Sequence, residues 1–245
     1  MKSINKTKIE TWSIILVSAA FLLFFIFSHK FLDYSNNYAQ LIFSERGVLM
    51  NATLAADDQW RFSPTLDVPE KLEKAILTFE DKRFYHHPGV DPLAVARALW
   101  LNVRYMRKVS GASTLTMQLA RLGRKKAPRS IGEKLLEMLI ALRLELRYTK
   151  KEILGLWAAR APYGSNVVGF EAASWRYFGR SPDQLSWAEA SLLAVLPNSP
   201  ALIFPGRNQD RLEKKRNSLL EKLHKATIID SLTWQLALDE PLPDR

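Results

Sequence analysis

From Thr11 to Ser28 the chain carries no charged side chain, and Trp12–Phe27 reads WSIILVSAAFLLFFIF. As a helix rising 1.5 Å per residue, this stretch reaches about 27 Å, close to the hydrocarbon thickness of a bilayer. Lys2, Lys6 and Lys8 precede it, which favours a cytoplasmic amino terminus and an exported remainder. The residues that follow, Ser28-His29-Lys30-Phe31, lack the small-x-small pattern of a cleaved signal peptide. The expectation is an uncleaved single-pass anchor, with the rest of the chain outside the cytoplasm. A buried core helix is the rival reading, and the flanking charges argue against it.

The remainder, roughly 215 residues, suffices for one domain with a substantial core. Against 25 acidic residues stand 35 lysines and arginines, a net charge of +10. That excess suits nucleic acid, an anionic membrane surface or a phosphorylated substrate, and does not choose among them. With no cysteine, disulfides, thiolate metal sites and cysteine nucleophiles are excluded.

Periodicity and punctuation divide the chain into a tail and anchor (1–30), a membrane-proximal segment (31–68), a main domain (69–226) and a C-terminal helix and tail (227–245). Residues 31–43 read as helical and lying near the bilayer surface. Arg46–Met50 and Trp60–Phe62 suggest a short strand or hairpin. Pro69 opens a helix with Leu72, Ala75, Ile76 and Phe79 on one face. Asp91-Pro92 caps and starts another, with Leu93, Ala96, Leu99 and Val103 as its buried side. Further helices are expected at 114–122, 131–148, 150–159, 169–178, 186–195, 208–225 and 228–238. Ser186 with Glu189 forms a capping box before 186–195. The fold class is mainly α with a short β element.

Two motifs carry chemistry. Residues 80–91 read Glu-Asp-Lys-Arg-Phe-Tyr-His-His-Pro-Gly-Val-Asp, and 111–118 read Gly-Ala-Ser-Thr-Leu-Thr-Met-Gln. Glu80 ends a helix, where the macrodipole disfavours negative charge and Asp81 adds like charge; if partly buried, it would titrate nearer neutrality and serve as a general base or acid. A solvated helix-end glutamate is the bland alternative. His86 and His87 are adjacent, so they do not point readily at one metal ion, and His87 reads better as ordering its loop. Ser113 serves as a helix cap, which leaves Thr114, Thr116 and Gln118 as ligand-facing candidates. Arg121, the basic connector and Arg129 are either a solvated face or a seat for a diphosphate. Glu133, Lys134 and Glu137 lie within about one helical turn, as an intrahelical salt bridge or as an acid with an anion partner.

These motifs, Glu80-Asp81-x-x-Phe84-x-x-His87-x-Gly89-x-Asp91 and Gly111-x-Ser113-Thr114-x-Thr116-x-Gln118, resemble the first two signatures of the family 51 peptidoglycan glycosyltransferases. The likeness continues through Lys134-x-x-Glu137, Lys151–Leu154, Ala161–Gly164, Gly169 and Leu185–Ala194, over about residues 45–225, and is greatest to the 1C-type branch of class A penicillin-binding proteins. It implies a lysozyme-like domain beside the membrane that polymerises lipid II. By the same resemblance, Glu80 is the catalytic base and Glu137 the second acidic residue, positioning the diphosphate or a divalent cation such as Mg or Mn; no organic cofactor is expected. Asp81, Phe84, His87, Ser113, Thr114 and Gln118 are placed at the substrate cleft, and Arg121, Arg129 and Lys134 on the donor diphosphate. Expected partners are lipid II, the growing glycan strand, membrane lipids and other cell-wall synthesis proteins; nucleic acid is not expected. Two residues depart from the pattern. Glu133 stands where arginine is usual, and Trp157-Ala158-Ala159 replaces a usual Tyr-Leu-Asn. A weakened, lipid II-binding scaffold and a lysozyme-type hydrolase are the competing readings.

Overall fold

A computed structural model describes residues 6–27, 37–107, 111–124 and 130–244. Its helices are α1 (Lys6–Phe27), α2 (Glu70–Glu80), α3 (Pro92–Arg104), α4 (Leu115–Leu122), α5 (Ile131–Arg147), α6 (Lys150–Ala158), α7 (Phe170–Phe178), α8 (Trp187–Val195), α9 (Gln209–Lys225) and α10 (Ser231–Asp239). Four short strands complete it: β1 (Leu41–Phe43), β2 (Leu49–Ala52), β3 (Trp60–Arg61) and β4 (Val167–Val168).

Helix α8 is the centre, buried on all sides from Ala188 to Val195. Its register is fixed by the expected capping box: Ser186 Oγ accepts from Glu189 N, and Glu189 Oε2 accepts from Ser186 N. Against it pack α2, α9 and α10, while α4 packs on α5 and α6. Leu72 and Ile76 of α2, Leu115 and Leu119 of α4, Ile153 and Trp157 of α6 and Leu219 and Leu220 of α9 share one core. The C-terminal segment is tied to it by Arg216, a buried guanidinium that donates to the carbonyls of Leu238 and Glu240.

Several expectations are corrected. Arg46–Met50 does not pair with Trp60–Phe62. Instead β2 runs antiparallel to β1, and β3 pairs in parallel with β4 from far along the chain. Residues 41–43 are therefore strand and not helix; 31–36 lie outside the described residues. Pro69 is the N-cap of α2 and not its first residue. The largest difference is in α3. Leu93, Leu99 and Val103, expected inside, are 66%, 62% and 70% exposed, Ala96 is also exposed, and only Ala98 is buried. Periodicity marks an apolar face without saying what covers it. On α5, Leu135, Leu139, Leu142 and Leu146 form a second exposed apolar stripe.

Helix α1 coincides with the apolar run and lies against α5. Among the described residues, which leave out the side chains at 6–9, 21, 22 and 24–27 of α1, no helix is long and apolar enough to cross a membrane.

Candidate active site

Glu80 is the last residue of α2, and Asp81 turns the chain out of the helix. The turn is held from behind. Asp81 is buried; its carboxylate accepts from Leu115 N at 3.0 Å, at the start of α4, and faces His87 Nε2 at 3.0 and 3.1 Å. Gly89 N donates to His87 Nδ1. That leaves the ring proton on Nε2, directed at Asp81. Phe84 is 1% exposed, beneath the Lys150 ammonium at 4.5 Å from its ring centroid. Phe84 and His87 thus lie behind the site surface, as its framework, and Asp81 joins that framework to the cavity wall. Asp91 caps α3 and is clamped by Arg83. Burial pushes its carboxyl up, and Arg83 with the Ala94 N–H outweighs that, so it sits below the ordinary aspartate value.

The Pro88-Gly89 turn lies on α5. Gly89 has φ +90°, and a Cβ there would stand 2.9 Å from the Ala141 carbonyl oxygen, so only glycine fits without displacement. The Gly89 carbonyl accepts from Thr114 Oγ1, whose oxygen also accepts from Met117 N at 3.1 Å. Thr114, and not Ser113, is therefore the N-cap of α4. Its hydroxyl fastens the Pro88-Gly89 turn to the start of α4. Thr116 is likewise committed, donating to Glu145 at 2.6 Å.

In front of this framework, Glu80 is half-buried, and its Oε2 accepts from Gln118 Nε2 at 2.7 Å. Burial raises the Glu80 carboxyl above the ordinary glutamate value, with Asp81 adding to the rise; the Gln118 hydrogen bond and the Lys215 charge partly offset it. Lys215 is itself pulled down, first by burial and then by Arg211. It is held by Asn198 Oδ1 at 2.7 Å. A cavity of about 280 Å³ opens beside Glu80, lined also by Lys82, Arg97, Ser113 and Lys222.

Ser113 links this cavity to a second group of charges. It is exposed and accepts from Lys134 Nζ at 2.7 Å; the same ammonium donates to Glu137 Oε2 at 2.7 Å. Arg121 Nε stands 3.8 Å from the other Glu137 oxygen. Glu137 is buried and serves to hold two cations at the surface of the groove. Its carboxylate, already facing two cations, does not fit a divalent ion, and among the described residues no three His, Cys, Asp or Glu gather where they could hold one. Arg129 lies outside the described residues.

The structure brings together Glu80, Gln118, Ser113, Lys134, Glu137 and Arg121, and adds two residues that the sequence reading had not placed at the site. Lys215 falls on the buried side of α9 with Leu212 and Leu219, a register legible from their spacing. Trp157 donates to Gln118 Oε1 at 3.1 Å, for which no sequence signal existed.

Residues 47–224 match the transglycosylase family. The chain belongs to it. Relatives include penicillin-binding protein 1C of Escherichia coli K12, 42% identical over 188 residues, covering 76% of this chain and 24% of that protein. Penicillin-binding protein 1A of Aquifex aeolicus is 37% identical over 185 residues, covering 75% and 26%. A crystal structure of penicillin-binding protein 1A from Haemophilus influenzae aligns over 85% of this chain and 21% of its own length, with TM-score 0.47 and 20% identity. The chain spans about a quarter of the length of the curated relatives it matches.

As a transglycosylase domain, the chain has one unusual charge pair. Glu133, at the arginine position of the family pattern, takes Arg124 in a bidentate grip at 2.6 and 3.0 Å. The departure therefore occupies a second cation as well as replacing the first. Ala159, where asparagine is usual, borders a void of about 10 Å³ lined also by Thr65 and Glu171.

Proposed function

We propose that this transglycosylase domain polymerises lipid II into β-1,4-linked glycan. Glu80 is the base. Its free oxygen takes the proton of the acceptor sugar's 4-hydroxyl as that oxygen attacks the donor's anomeric carbon. The bond from that carbon to the diphosphate breaks with inversion, and undecaprenyl diphosphate leaves. Charge builds on the diphosphate as the bond lengthens, and preorganised cations there lower the barrier. Lys134 and Arg121, held by Glu137, are suited to that task. The observation that carries this reading is the placement of Glu80: half-buried, raised by burial, and on the wall of a cavity it shares with Ser113, which Lys134 touches.

The domain is lysozyme-like and works at the bilayer surface, with α1 as its anchor in the cytoplasmic membrane. The exposed apolar stripes of α3 and α5 support this, because a soluble surface rarely leaves two such faces in water. Polymerisation of labelled lipid II by the wild type and by Glu80→Gln tests the proposal. Undiminished turnover by the variant removes Glu80 as the base, and release of muropeptides from purified sacculi would point to a hydrolase instead. The Glu133–Arg124 pair favours a second reading, a lipid II-binding scaffold of low turnover, for which binding without polymer is the expected result.

A further inference from the structure

We propose that Trp157 is a positioning residue for the Glu80 carboxylate, acting through the amide of Gln118. This rests on the reading of Glu80 as the base. An indole N–H donates and never accepts. Trp157 Nε1 lies 3.1 Å from Gln118 Oε1, so the amide oxygen is fixed on the indole side. The amide nitrogen is thereby turned to Glu80 Oε2, at 2.7 Å. A glutamine beside a carboxylate has two orientations, and one sets oxygen against oxygen. The buried indole removes that one. With Oε2 engaged, Oε1 is the oxygen left to receive the hydroxyl proton.

The relay has a stiff mounting. Trp157 is 1% exposed and stands on α6, whose start is fixed by a Thr149–Glu152 capping box. Two residues earlier, a Cβ at Gly155 would come within 2.3 Å of the Leu66 carbonyl oxygen, so the incoming chain presses directly on the helix backbone. Trp157 itself stays behind the groove and reaches the reacting atoms only through Gln118.

The test measures lipid II polymerisation against pH for the full chain in detergent, as wild type, Trp157→Phe and Glu80→Gln. Phenylalanine keeps most of the aromatic bulk and removes the donor. The freed amide then donates to Glu80 for only part of the time, so the acidic limb of the kcat profile should move up by roughly half a unit to one unit. Turnover at low pH should fall several-fold, with KM little changed. A rate lowered equally at all pH values, with the limb unmoved, is what a merely structural tryptophan would give, and it overturns the proposal. Full turnover by Glu80→Gln is a different failure, that of the base itself. A second measurement needs no change at position 157. The Trp157 indole ¹⁵N–¹H resonance of the wild type should titrate with the acidic limb and cease to do so in Glu80→Gln. A resonance flat across the limb overturns the relay whatever the variant does.

Discussion

Replacing Asp81 by Asn keeps the shape of the corner and removes its charge. The amide oxygen can still accept from Leu115 N, now 3.0 Å from Asp81 Oδ2. Its NH₂ then faces His87 Nε2–H, donor against donor. Moving the imidazole proton to Nδ1 sets it against Gly89 N–H instead. In either arrangement one buried donor is set against another, His87 at best shares a neutral amide oxygen with Leu115 N, and a charge-assisted bond is gone, a cost of about 2–3 kcal/mol. For a chain of this size that lowers Tm by about 5–10 °C. Thermal melts followed by circular dichroism in detergent measure it. A loss under about 0.5 kcal/mol would show that Asp81 does not hold the corner. An unchanged Tm with a raised KM for lipid II would return Asp81 to the substrate contacts expected from sequence.

Glu80→Gln should lower polymerisation about 10²- to 10⁴-fold, as loss of a general base does. The same variant should be more heat-stable than the wild type at neutral pH. The folded value of Glu80 is raised, so the native state holds more protons than the unfolded chain between the two values, and stability falls as pH rises through that window; a Tm difference that is absent or reversed at pH 7 contradicts the burial. Glu133→Arg should release Arg124 and add a cation, raising turnover several-fold in a lipid II assay at low salt; a slower enzyme refutes the idea that this pair weakens the donor site. Leu139→Gln with Leu142→Gln should reduce binding to zwitterionic vesicles in a flotation assay while leaving Tm within about 2 °C, since both side chains are exposed; unchanged binding would sink the assignment of the α5 stripe to the bilayer.

The helices were legible because caps and periodicity coincide with them: Asp91 before α3, Ser186 before α8, and the apolar spacing of α2 all stand where the sequence put them. What covers an apolar face was not legible, and α3 shows why. Its spacing is that of a core helix, yet its leucines face outward. The strand pairing failed for a related reason, since β3 finds β4 about a hundred residues away and local pattern holds no record of distant partners. At the site, placement was readable for Glu80, which lines the cavity, and for Lys134, which reaches Ser113 and Glu137. His87, expected to order its loop, does so through Asp81 and Gly89 N; what was not readable is that Asp81 turns inward to Leu115 N and His87, and Thr114 to the Gly89 carbonyl. Nothing in a one-dimensional string joins Trp157 to Gln118, because the link is a contact between two helices.

The Pro88-Gly89 turn has a mechanical meaning. It is wedged against α5, pinned by the α4 threonine, and joined through His87 to the end of α2. In the proposed reaction, the separation between Glu80 on α2 and the cations Arg121 on α4 and Lys134 on α5 is therefore gauged at this turn. A molecule that prised this turn from α5 would put the two halves of the reaction out of register without ever entering the groove.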